Sequence, residues 1–138
     1  MAQLVGYTTL LRNARLDLVD DYCNAGSGAA LIRLYDGTRP ANGGTATTLL
    51  AELTASDPMF GAAGSGIMTA SAITQDSSAN ASGNATWCRV VDSSATFVMD
   101  MNVGTSGADL NLTGSVAISS GQPVSISSFV ITAGNAGQ

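Results

Sequence analysis

The chain has no histidine and no lysine, and Glu52 is its only glutamate. Without an imidazole or an amine, neither a Ser-His-Asp triad nor a Ser-Lys pair can be assembled, however many serines are present. Only two cysteines occur, Cys23 and Cys88. They are too few for a disulfide scaffold, and neither belongs to a C-x-x-C or to a set of four zinc ligands. They read as two small buried hydrophobes, with a long-range Cys23–Cys88 bridge left open. Charged residues make up 11% of the chain, against about 25% in an average soluble domain. The net charge is −5 with a pI near 4.1, and no basic cluster exists to displace counterions from phosphate. Direct nucleic-acid binding is therefore not expected. No run of apolar residues is long enough for a membrane span, and Met1–Arg15 lacks the basic and apolar regions of a signal peptide. No cofactor motif is complete: Gly26-Ser27-Gly28 opens like a dinucleotide fingerprint, but Leu31 stands where the third small residue belongs.

What is present fits one domain of 138 residues, large enough to bury a core without staples. Its surface must be built mainly from Ala, Ser, Thr, Gly and Asn. A neighbouring molecule can cover such a surface without stranding many ions, which biases the chain toward assembly.

Between Thr9 and Asn24, Leu11, Ala14, Leu18 and Tyr22 recur at spacings of three and four, with Val19 flanking. This period predicts one amphipathic helix, capped by Thr8 or Thr9 and closed near Gly26. Its apolar stripe is expected to lie on its own sheet or on a partner. Asp17, Asp20 and Asp21 read as a solvated acidic face, since no calcium-loop pattern surrounds them.

Past residue 28 the pattern becomes β. Strands are expected at Leu31–Tyr35, Thr48–Thr54, Gly66–Thr74, Asn84–Val91, Thr96–Met101, Ala108–Leu112, Ser115–Ile118 and Val124–Thr132. Gly, Asn, Asp, Ser and Pro separate them, and Asp92-Ser93-Ser94 reads as a hairpin turn. The fold class is accordingly mainly β: a jelly-roll-like antiparallel β-sandwich of about eight strands with one N-terminal helix. Residues 1–28 form the helix and linker, and 29–138 the sandwich, in a single domain. With no lysine to guard strand edges, the edges are expected to be short, twisted away or occupied by another subunit.

Few residues invite chemistry. Asp57, Asp76, Asp92, Asp100 and Asp109 could in principle supply a glycosidase pair, but most fall in turns, where Asp caps its own backbone. Trp87 alternates within a strand and reads as core more than as a sugar-stacking surface. Asn80, Asn84 and Asn111 begin N-glycosylation patterns that carry no weight without a secretory signal. The chain is not expected to be an enzyme, and no catalytic, metal or cofactor-binding residues are assigned.

The ordered segments Leu11-Arg12-Asn13-Ala14-Arg15-Leu16-Asp17, Leu31-Ile32-Arg33-Leu34-Tyr35-Asp36-Gly37-Thr38-Arg39-Pro40, Asp57-Pro58-Met59-Phe60-Gly61 and Ala85-Thr86-Trp87-Cys88-Arg89-Val90 carry a resemblance. So do Leu49–Leu53, Gly107–Leu112 and the closing Val124–Phe129. Over nearly the whole chain they resemble small virion proteins of tailed bacteriophages, in particular the capsid cement (decoration) proteins of Bordetella short-tailed phages. The resemblance implies a jelly-roll-like protein on the capsid exterior that binds the major capsid protein and pairs as a homodimer. Leu11, Leu18, Tyr22, Met59 and Phe60 are the expected protein-interface residues. A tail-associated receptor- or glycan-binding module is the alternative, with an aromatic platform as its requirement.

Overall fold

The computed structural model describes residues 6–134, so the first five and last four residues of the expected domain lie outside the described residues. Helix α1 spans Thr9–Cys23. Nine strands follow: β1 Leu31–Tyr35, β2 Leu49–Thr54, β3 Ile67–Thr69, β4 Gly83–Asn84, β5 Trp87–Val91, β6 Phe97–Gly104, β7 Leu110–Leu112, β8 Ala117–Ile118 and β9 Ile126–Thr132. Seven of them form one curled sheet in the order β2-β1-β5-β6-β7-β9-β3, and β4 pairs with β8 in a second, small sheet. The fold is mainly β with one helix, consistent with a jelly-roll-like sandwich.

Three details depart from the expected strands. Asn84–Val91 is two elements, because Ala85 N–H turns to Val116 O while Thr86 N–H turns to Tyr35 O. The run Gly66–Thr74 pairs regularly only at Ile67–Thr69. The sheet is also not wholly antiparallel: β6 and β7 meet in parallel over two residue pairs. The chain reverses between them through a tight loop held by buried Asn111, whose Nδ2 donates to Ala108 O and whose Oδ1 accepts from Ala108 N–H.

Alternation builds the core. Ile32, Leu34, Cys88 and Val90 point inward from β1 and β5, and Leu50, Leu53, Met68, Leu110, Leu112 and Phe129 join them, all buried. The Phe60 and Phe129 rings meet edge to face at 5.3 Å. On the other face of the β1–β5 ladder, Trp87 stacks on Tyr35 with ring centroids 4.5 Å apart. The β1–β2 loop covers that pair, and Trp87 Nε1 donates to Asp36 O and Thr47 Oγ1.

The outer edges of the large sheet are lined by other segments of the chain. Along β2, Asn80 N–H donates to Leu50 O and Thr74 N–H to Thr54 O, while Asp76 Oδ2 accepts from Glu52 N–H. On its far side the same segment pairs Asp76 with Val124. Beyond β3, Gly61 N–H donates to Thr69 O, and Gly64 and Ile67 exchange a pair of bonds. A segment laid along an edge satisfies the donors and acceptors that would otherwise template a foreign strand.

Candidate functional site

The helix forms as expected but is turned inside out. Thr8 Oγ1 accepts from Leu11 N–H at the start, and Asn24 N–H closes on Asp20 O at the end, before Gly26 takes φ +94°. Its inner face is largely polar. Asn13, Asp17, Asp20 and Asn24 follow one another at steps of four, three and four, one stripe of a helix. Their Oδ1 atoms accept from the backbone N–H groups of Gly66, Ala63, Phe60 and Met59 at 2.8, 3.0, 2.9 and 2.8 Å. The irregular segment 59–66 thus runs antiparallel to the helix, and four of its backbone donors are satisfied by the helix's side chains. Arg12 Nε completes the stripe by donating to Ala133 O. Gly66, at φ +74°, lies against the Arg12 guanidinium so closely that an added Cβ would come within 2.2 Å of it. Within this seam only Leu16 and Cys23 among the helical residues are buried.

The acidic residues are therefore not merely a solvated face: Asp17 and Asp21 are exposed and Asp20 half-buried, and Asp17 and Asp20 accept backbone N–H groups of the seam.

Turning the polar stripe inward sends the apolar stripe out. Leu18 is 55% exposed, Leu11 46%, Tyr22 63% and Leu10 83%. Beside them Arg15 lies over the Tyr7 ring, 5.0 Å from its centroid. Of the five expected interface residues, Leu11, Leu18 and Tyr22 share this outer face. Met59 and Phe60 do not: they are 0% and 2% exposed, and both belong to the core. Their backbone N–H groups bond to the helix, which points their side chains into the sheet, so they are removed from the interface set.

A second feature crosses the outer face of the sheet. Glu52, Arg33, Arg89 and Asp100 are register partners in sequence across β2, β1, β5 and β6. Arg33 bonds Glu52 at 2.7 Å, and Arg89 grips Asp100 through Nε and Nη2 at 2.8 and 2.9 Å. The hydrogen bonds that Arg89 donates to Asp100 raise its guanidinium pKa against the lowering effect of burial. Arg89 also donates to Gly44 O and lies over the Trp87 and Phe97 rings. Next to it opens a cavity of about 340 Å³ between residues 39–43, Phe97 and Asp100.

Several of the remaining sequence candidates, Trp87, Asn111, Asp92, Asp76 and Asp100, have structural roles. Trp87 is fully buried, so it is not a sugar platform. Asn111 is 7% exposed with its amide engaged, so its glycosylation pattern lies in the core. Asp92 caps the β5–β6 turn through the N–H groups of Ser94 and Thr96. Asp76 accepts from Glu52 and Ser78 N–H, and Asp100 is held by Arg89. Cys23 and Cys88 are both free thiols and buried. Burial, with help from Asp20 and Asp92, pushes Cys23 up to about 12. Among the described residues no three His, Cys, Asp or Glu side chains gather as a metal centre requires, and no helix is long and apolar enough to cross a membrane.

Sequence reasoning found the apolar stripe but missed the Asn13–Asp17–Asp20–Asn24 seam. Its signal was present, as four Asx side chains at helical spacing, the residue types that most readily hydrogen-bond to nearby backbone. Compared with protein-family models, curated protein sequences and solved structures, the chain matches none.

Proposed function

We propose that this chain is a structural virion protein that binds the outside of a bacteriophage capsid and stabilises the shell of the major capsid protein, without catalysing a reaction. The observation that carries the reading is the outward apolar face of α1. A helix pinned to its own domain by a polar seam has its Leu11, Leu18 and Tyr22 side chains free for another protein. Covering the exposed parts of Leu10, Leu11, Leu18 and Tyr22 is worth roughly 5 kcal/mol at the usual yield per buried side chain. That suits a contact repeated in many copies over a lattice. The partners are the major capsid protein and a second copy of this chain, with no nucleic acid and no membrane.

Two further observations support the reading. The sequence resemblance to capsid cement proteins runs through segments from Leu11–Asp17 to Val124–Phe129 and supports the architecture more than any single binding residue. The charge-poor surface also lets subunits abut with few stranded ions. A shell that binds such a protein only in its assembled form is stabilised by mass action in proportion to affinity and copy number. The glycan-binding alternative cannot use Trp87 as its stacking platform, because that side chain is inside.

The test is reconstitution. Shells stripped of the protein are mixed with the wild type or with Leu11→Asp/Leu18→Asp, and occupancy is read from band intensity on sedimented particles. The variant is expected to bind at least about a hundredfold more weakly, since two leucine contacts are lost and two carboxylates meet an apolar surface. Equal occupancy would remove the helix from the interface, and uptake by tails in place of heads would overturn the capsid reading.

A further inference from the structure

The cavity beside the charged row is independent of what the helix face meets. The carboxylate in its lining, Asp100, is committed to Arg89 through both oxygens. Arg39 has no such partner among the described residues. Its Nη1 donates to the Asp100 backbone oxygen at 3.3 Å, a long and neutral contact. Most of the five guanidinium donors are therefore left for a ligand. The chain is acidic overall, yet the cavity lining carries Arg39 in addition to the Asp100 that Arg89 already neutralises.

The other walls add shape and orientation. Phe97 is 41% exposed, and Pro40 and Ala41 extend an apolar rim beside it. Asn42, at φ +50°, is exposed and makes no side-chain hydrogen bond among the described residues. Gly43 takes φ +71° and packs so tightly on Phe97 that a Cβ would lie 2.8 Å from the ring. The loop and ring are thus set against each other, with Arg89 on the Phe97 ring at 5.0 Å from its centroid. A guanidinium with free donors, an aromatic side chain and a free amide form the composition of a protein-binding hot spot. The cavity volume lies at the small end of the range for ligand sites.

We propose that this cavity receives an aspartate or glutamate side chain from an extended segment of a partner protein. The carboxylate bonds Arg39, the Asn42 amide takes a neighbouring backbone group, and the adjoining apolar residue rests on Phe97 and Pro40. Charge complementarity selects this occupant: Arg39, beside the row and without a carboxylate partner among the described residues, asks for an anion, and the apolar rim asks that it be carried on a chain with a hydrophobic neighbour.

The probe is acetyl-Leu-Glu-Leu-amide titrated into the full chain, followed by backbone amide and Arg Nε–H shifts in NMR spectra. Expected are saturable shifts confined to Arg39–Gly44 and Phe97, with the glutamine peptide acetyl-Leu-Gln-Leu-amide giving none. Arg39→Gln is expected to weaken binding at least about tenfold, the loss of a charge-assisted bidentate contact. Asn42→Asp, which places a like charge in the mouth, is expected to do the same. Both positions are exposed, and an unchanged spectrum elsewhere confirms the fold. Equal binding of the glutamine peptide, or binding undiminished in both variants, would overturn the proposal. So would shifts at these residues with methyl glucuronide and none with the peptide, because the site would then belong to acidic sugars.

Discussion

The inverted helix makes opposite demands on two leucines only two positions apart. Leu16 is 3% exposed and faces the body, whereas Leu18 is 55% exposed and faces away. A buried Leu→Ala change costs about 2–5 kcal/mol, from the lost transfer free energy and the cavity left behind. With Met59, Phe60 and Met68 in the same buried cluster, the site has little freedom to collapse, which places Leu16→Ala at about 3 kcal/mol. Leu18→Gln keeps nearly the same helix propensity and alters a largely solvated side chain, so it is expected to fall within about 0.5 kcal/mol of the wild type. For a chain of this size about 1 kcal/mol moves the midpoint of thermal unfolding by about 4 °C. Leu16→Ala should then unfold about 12 °C lower and Leu18→Gln within about 2 °C of the wild type. Circular dichroism melts of the isolated protein, with urea titrations to give the free energies, measure both. If the apolar stripe faced the sheet, as periodicity alone suggests, the order would reverse. A Leu18→Gln loss exceeding that of Leu16→Ala would refute the inversion and the docking argument built on it.

Two further outcomes follow from the charges and thiols. Asp100→Ala strands the Arg89 guanidinium, whose side chain is 12% exposed, and is expected to cost about 3–5 kcal/mol. Glu52→Gln in the more open Arg33 pair is expected to cost no more than about 1 kcal/mol; urea midpoints of the two variants distinguish them, and equal losses would refute the asymmetry. The Cys23 thiol, raised by burial from 9.0 to about 12, keeps its proton in a pH range where the unfolded chain releases it. Stability from this group is therefore fully present below pH 9.0 and falls as pH rises toward 12. Cys23→Ala should flatten that fall relative to the wild type in urea midpoints taken across the window, and an identical pH slope in the two proteins would refute it.

The β layer was legible because a two-residue period is strong wherever one face is buried. Ile32 and Leu34 against Cys88 and Val90 alternate in the sequence as they do in the sheet. The Asp92 turn was equally readable, since its side chain bonds two backbone N–H groups within four residues. Less legible were the short irregular pairings of residues 70–81, where donors reach β2 and the 121–124 segment one at a time. Such contacts depend on tertiary placement and leave no period. The β6–β7 parallel contact was hidden for the same reason: it hangs on a single side chain, Asn111, folding the intervening loop back.

The helix shows a more general limit. Periodicity reports that a helix has two unlike faces; it does not report which face the domain takes. The usual assignment, apolar inward, assumes that the competing face has nothing to offer. Here it has four Asx oxygens at the spacing needed to satisfy backbone N–H groups of segment 59–66, two of them on half-buried donors in the turn that carries Met59 and Phe60. A buried donor left unpaired costs about 1–3 kcal/mol, so several such bonds outweigh the roughly 1 kcal/mol expected from covering each half-exposed leucine. Segment 59–66 cannot pair as a regular strand, and the helix supplies acceptors that no sheet neighbour does. The apolar face is then left over, and its fate is decided outside the monomer. Under the proposed capsid reading that face is the docking surface, so the seam that turns it outward and the binding it offers are tested together. Asp20→Ala removes the acceptor of the Phe60 N–H, so under the proposed reading it should both lower the urea midpoint and weaken uptake by stripped shells, and unchanged values of both would refute the link.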